Sequence, residues 1–187
     1  PPPADTPPPP ETRTDQPPQT EQPQPDQQAP DQQASAEPLT RDAIFIGLDG
    51  ETLGSATMRA SPHGTLFMLD LEGLPADSWV SFHIHETGEC TPEDAFESAG
   101  SHFALSDTEH GYFAENGPHA GDMPNQHVAA DGTLRSEVFN TFVQLSEGGA
   151  TIDGRALVIH DGPDDYISQP SGDAGDRIAC AVIETVN

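Results

Sequence analysis

From residue 43 onward the chain is cut into short apolar runs by Gly, Pro, Asp and Ser, and no stretch keeps up a helical period with caps. The runs are "AIFIGLDG", "TLGSATMRA", "GTLFMLDLEGLP", "SWVSFHIHE", "TLRSEVFNTFVQLS", "RALVIH" and "RIACAVIETV". Their length and their content of branched and aromatic residues are those of strands, and "TLFMLDLEG" alternates well enough to turn one face to a core. The expected class is all-β, with mostly antiparallel strands packed as a sandwich or flattened barrel. Two segments, residues 87 to about 130 and residues 161–176, are too long and irregular for hairpin turns. Loops of that length in a compact domain are usually functional, and something other than their own core must hold them, such as a metal or a disulfide.

The histidines are placed where such a metal would need them. His83 and His85 lie one residue apart on a run that reads as a strand, so both side chains project to one face, roughly 7 Å apart along the backbone. With His160, at the end of "RALVIH", they form one imidazole group of a kind that suits copper, zinc or nickel rather than magnesium or calcium. His102, His110 and His119 fall in the first long loop, with Asp122 three residues after the last. Three imidazoles and a carboxylate make the closed tetrahedral set that structural zinc prefers. The competing reading of both groups is a scatter of surface histidines.

Residues 1–40 are Pro, Gln and acid with no aromatic residue, too little apolar surface to offset the entropy of ordering them. They read as a disordered spacer, partly polyproline II, with a reach on the order of 100 Å if extended at about 3.1 Å per residue. Residues 41–187 are then the folded domain. The formal net charge is -26 and the six cationic residues are all arginine, which excludes nucleic acid as a partner because phosphate binding needs a basic face. No stretch approaches the roughly 20 apolar residues of a membrane span, and no signal-peptide core is present. The opening "PPPAD", without Met, fits a processed or trimmed product. Cys90 and Cys180 belong to no CxxC pair, so counting leaves one long-range disulfide and two reduced core thiols as open alternatives.

Taken together, "FHIHETGEC", "SAGSHF", "HG" at 110–111, "HAGDMPN", "LVIHDGPDDY" and "GDAGDRIACAVI" resemble the signatures of copper/zinc superoxide dismutase in the form found in bacterial envelopes. The resemblance covers most of residues 43–187 and implies an eight-stranded Greek-key β-barrel with two long functional loops. It implies one copper held by His83, His85, His102 and His160, and one zinc held by His102, His110, His119 and Asp122. His102 would bridge the two metals and Asp164 would hydrogen-bond His83 and His110. Cys90 would pair with Cys180, and Arg177 would stand beside the copper channel. His63 and His127 match no ligand motif.

The implied activity is disproportionation of superoxide through cycling of copper, with His102 and Arg177 as the catalytic side chains and zinc in a structural role. A copper- or zinc-binding storage or delivery module on the same scaffold, without turnover, is the alternative. An interaction module displayed on the proline-rich stalk, with purely structural metals, is a third reading. The motifs point to a periplasmic or otherwise extracytoplasmic protein, tethered through its spacer, and are compatible with a monomer or a homodimer. Two departures stand out. Many relatives line the channel with lysine, whereas this chain has none and carries Asp161, Asp165, Asp173 and Asp176 in the same loop. "HFAL" also replaces the common "HFNP" after the shared histidine. Weaker cationic steering than usual is therefore expected.

Overall fold

The computed structural model describes residues 38–146 and 148–185, so the spacer expected over residues 1–40 lies, but for its last three residues, outside the described residues. Eight strands run in chain order: β1 Thr40–Gly47, β2 Thr52–Ser61, β3 Gly64–Leu71, β4 Trp79–His85, β5 Gln126–His127, β6 Leu134–Asn140, β7 Ala156–His160 and β8 Arg177–Val182. They form one antiparallel sheet in the order β5-β4-β7-β8-β1-β2-β3-β6, which curls into a nearly closed barrel. The chain passes from β3 across to β4, comes back to lay β6 beside β3, and then inserts β7 between β4 and β8, which is Greek-key connectivity. Among the described residues the only helical elements are two single 3₁₀ turns, Pro92–Asp94 and Glu97–Ala99.

Alternation explains the core. Ala43 and Phe45 of β1, Phe67, Leu69 and Leu71 of β3, Val80, Phe82 and Ile84 of β4, and Leu157 and Ile159 of β7 all point into the barrel. Phe67 and Phe82 meet edge to face across it, ring centroids 6.1 Å apart. The outward faces of β4, β7 and β8 are covered too, which is why every residue of β7, and every residue of β4 after Trp79, is buried. Over Ala156, Val158 and Cys180 lies a second apolar cluster that includes Phe96 and Ala99 from the first long loop. Over Ser81, His83, His85 and His160 lie the polar parts of the loops.

Two runs end differently from their sequence expectation. The run "TLRSEVFNTFVQLS" stops as a strand at Asn140, whose side-chain oxygen accepts the backbone N–H of Phe142 at 2.8 Å and so turns the chain away. Strand β5 falls inside the segment expected to be all loop, because two residues paired with Trp79 and Val80 leave no periodic signal. No described helix is long and apolar enough to cross a membrane.

Candidate metal centre

Strand β4 aims His83 and His85 outward from the barrel, and β7 brings His160 beside them through the pairing of Ser81 with His160. The first loop folds back over this face and meets it by isolated antiparallel bridges, His85 with His102 and His83 with Asp122. One ring nitrogen from each of His83, His85, His102 and His160 then lies within 4.8 Å of the others. All four side chains are buried. His83 Nδ1, His85 Nε2, His102 Nε2 and His160 Nε2 have no hydrogen-bond partner among the described residues.

The opposite nitrogen of each ring is engaged. His83 Nε2 sits 2.9 Å from Asp164 Oδ2, His85 Nδ1 donates to Gly100 O at 2.9 Å, and His160 Nδ1 donates to Gly175 O at 3.2 Å. A buried polar atom without a partner is costly, and four of them converging on one point fit a nitrogen-ligated metal ion of the copper, zinc or nickel type. Burial is the main reason these rings resist protonation: His83 is pushed down to about 3, with the neighbouring His102 adding to the effect, and His160 to about 4. His85 and His102 are lowered as well, again chiefly by burial. Neutral rings are the ligand form.

A second pocket adjoins the first through His102. Around Asp122 Oδ1 stand His102 Nδ1 at 2.9 Å, His110 Nδ1 at 3.0 Å and His119 Nδ1 at 3.5 Å. Ligands about 2.0 to 2.1 Å from a tetrahedral zinc are separated by about 3.3 Å, so these spacings fit such an ion. By distance alone His83 also joins His102, His110 and Asp122 within 4.8 Å. The free nitrogen of His83 belongs to the first cluster, however, whereas His119 Nδ1 lacks a partner and its Nε2 is tied to Thr108 O at 3.0 Å. His119 is the better fourth member.

Carboxylates tie the two pockets together. Asp164 reaches His83 with one oxygen and His110 Nε2 with the other, each at 2.9 Å. Gly172 packs so closely that a Cβ there would come within 1.8 Å of Asp164 Oδ1, and its φ of +74° suits glycine. Burial alone would raise Asp122, yet hydrogen bonds from His102 and His110, the adjacent His119 ring and the Gly111 N–H outweigh it and hold the carboxyl far below its usual range. Burial would likewise lower His110, but its bonds to Asp122 and Asp164 raise it to about 9, so in the metal-free protein a proton on this ring takes the place of the cation.

Arg177 opens onto a cavity of about 430 Å³ that it lines together with His85, His102, His160, Glu97 and Asp176. Its guanidinium donates to Phe96 O at 2.6 Å and to Gly100 O at 2.8 Å, while Glu97 Oε2 stands 4.0 Å away. Those two carbonyls belong to the segment that the Cys90–Cys180 disulfide fastens to β8, Cα to Cα 5.7 Å. His63 is exposed in the turn between β2 and β3, and His127 meets Trp79 edge to face with ring centroids 5.0 Å apart, both outside the clusters.

Several contributors have no sequence signal. The carbonyls of Gly100, Thr108 and Gly175 orient rings without leaving a trace in side-chain identity. Gln169 brackets the His110 backbone, accepting its N–H at 2.9 Å and donating to its carbonyl at 2.8 Å. Asn125 clasps the Asp164 backbone from both sides, each bond 2.8 Å. Both amides sit among the turn residues of the long loops, where nothing in one sequence distinguishes them.

A Greek-key barrel bearing two adjoining ligand pockets with one shared imidazole defines a binuclear metalloprotein. The sequence profile described as copper/zinc superoxide dismutase matches residues 52–183. "Superoxide dismutase [Cu-Zn] 2" of Aquifex aeolicus is 45% identical over 152 residues, covering 79% of this chain and 88% of that protein. "Superoxide dismutase [Cu-Zn]" of Caulobacter vibrioides is 39% identical over 142 residues, 73% of this chain and 80% of that one. The crystal structure of a double mutant of a SOD-like protein from Bacillus subtilis superposes with a TM-score of 0.74 at 34% identity, covering 77% of this chain and 97% of that one. The chain belongs to the copper/zinc superoxide dismutase family.

Proposed function

We infer that this chain is a superoxide dismutase, converting two superoxide anions and two protons to dioxygen and hydrogen peroxide. The observation that carries the reading is the set of four buried ring nitrogens without a partner among the described residues, three of whose rings, His85, His102 and His160, line the same cavity as Arg177. In this reading His83, His85, His102 and His160 hold copper, and His102, His110, His119 and Asp122 hold zinc. Bound copper supplies a one-electron redox couple, and bound zinc supplies a redox-silent charge that orders the loop. Arg177 contributes a fixed positive charge that draws a small anion into the cavity and orients it. His102, which also lines that cavity, can hold a proton for the departing peroxide, a task that suits an imidazole. Asp164 fixes the orientation and tautomer of His83 and His110 together, coupling the two pockets.

An extracytoplasmic location belongs to the same reading. A closed long-range disulfide and an acidic, lysine-free composition suit an exported bacterial protein, with residues 1–40 as a spacer that holds the domain away from a surface. Metal analysis and superoxide turnover of the purified chain, beside a His85→Ala variant, test the assignment. One copper and one zinc per chain with fast turnover, and loss of copper and turnover in the variant, are expected. Bound copper without turnover would instead favour storage or delivery, and zinc alone a structural role.

A further inference from the structure

Arg155 precedes β7 and lies outside both clusters, yet it touches the residue that follows each of two members. Its guanidinium carbon lies 3.4 Å from the centroid of the Phe103 ring, and Phe103 follows His102. Its Nη1 donates to the carbonyl of Glu86 at 3.0 Å, and Glu86 follows His85. Its Nε donates to Thr151 O at 3.0 Å, which anchors the guanidinium to the turn before β7. We propose that Arg155 is a positioning residue: by stacking on Phe103 while holding Glu86, it locks the segment carrying His102 against the strand carrying His85.

The backbone beneath the stack shows why a small displacement there would reach the metals. Phe103 N–H donates to Ile84 O at 2.8 Å, Gly121 N–H donates to Phe103 O at 2.8 Å, and Ile84 N–H donates to Gly121 O at 2.9 Å. These three bonds close a ring between β4, the His102 segment and the residue before Asp122. No side chain fits at Gly121, where a Cβ would lie 2.3 Å from Ile84 O. The ring contains no metal ligand, but each of its members adjoins one. Phe103 is 4% exposed, and the guanidinium closes over its face. A planar cation can stack on a ring and donate in its own plane at the same time, which a lysine ammonium cannot reproduce.

The proposal rests on His85 and His102 being ligands. The test uses the full chain as purified and reconstituted with copper and zinc, comparing wild type with Arg155→Met and Arg155→Lys. The readouts are the electron paramagnetic resonance spectrum of cupric ion, zinc dissociation by chelator competition, and the thermal midpoint of the metal-free protein. Arg155→Met is expected to alter the cupric spectrum and weaken zinc by about tenfold, the low end of the effect of losing an outer-shell contact, with Arg155→Lys falling between. A lowered midpoint with wild-type spectrum and zinc affinity would overturn the proposal. Should Arg155→Met fail to fold, Phe103→Leu decides, since it removes the ring and keeps an apolar side chain: a changed spectrum supports the clamp, an unchanged one overturns it. Failure of the wild type itself to bind both metals would overturn the ligand assignment instead.

Discussion

Removing the disulfide should have two separable effects, because Cys90–Cys180 closes a long loop and also fastens the segment that holds Arg177. The cysteines are 90 positions apart, and the entropy of closing such a loop in the unfolded chain corresponds to about 4.6 kcal/mol. For a domain of this size each kcal/mol moves the thermal midpoint by about 2 to 4 °C, so a Cys90→Ala/Cys180→Ala variant should melt about 9 to 18 °C lower. Alanine is the right replacement: Cys180 is fully buried among Phe96, Ala99, Ala156 and Val158, where a serine hydroxyl would add a desolvation cost of its own. The second effect concerns turnover. Phe96 O and Gly100 O, which hold the two ends of the guanidinium, lose their covalent tie to β8, so superoxide turnover at equal copper occupancy should drop several-fold. Calorimetry of the metal-free protein measures the first effect and rapid-mixing or pulse-radiolysis kinetics of the loaded protein the second. A midpoint lowered by less than about 3 °C would refute the loop-closure argument. An unchanged rate would show that the carbonyls grip Arg177 without the disulfide.

The metal-free protein should be most stable near neutral pH. His83 and His160, held down to about 3 and 4, stay neutral in the fold while their unfolded counterparts take up protons below about pH 6.5, so stability is lost as pH falls through that window toward 4. His110, raised to about 9, contributes fully below about pH 6.5 and loses its contribution as pH rises through 9. Thermal midpoints taken across pH check both limbs, and a midpoint that climbs steadily from pH 6 to pH 4 would contradict the first. The rate of the loaded enzyme should change less than about threefold as added salt shortens the screening length from about 30 to 8 Å, because Arg177 faces Glu97 and Asp176 on a chain of net charge -26. A fall beyond about tenfold would indicate strong cationic steering.

How much of this was legible in the sequence depended on whether side chains or backbone carried the information. The run "SWVSFHIHE" was readable as β4 because alternation separates Val80, Phe82 and Ile84 from His83 and His85 with no help from the rest of the chain. The two clusters were readable as donor sets from residue type. The place of His102 in both clusters and the choice of a Cys90–Cys180 disulfide over two reduced thiols came from family resemblance, since they depend on contacts across nearly the whole domain. Strand β5 and the early end of β6 were not legible: one is two residues long, and the other is set by a single Asn140 side chain. Arg155 was illegible for another reason. An arginine ahead of a strand looks like ordinary surface charge until the fold lays Phe103 beneath it.

The arrangement also explains how a barrel strand can be buried on both faces with so little apolar material above it. A half-exposed antiparallel strand should alternate, and β4 does alternate in chemistry, but its polar face is covered by loop segments rich in Gly, Asp and Ser. Such loops cannot displace water through hydrophobic contact alone. Where they do meet the sheet through apolar residues, at Phe96 and Ala99 over Val158, the disulfide reinforces the contact. Elsewhere the cover is electrostatic, with Asp122 and Asp164, one from each long loop, gathering four imidazoles from the first long loop and from β4. Carboxylates buried this deeply need positive charge beside them, whether a proton on His110 or a divalent ion among the rings. The same groups that make the pockets fit metal therefore make the loops depend on it, so binding at the centre and order in its cover are one equilibrium rather than two.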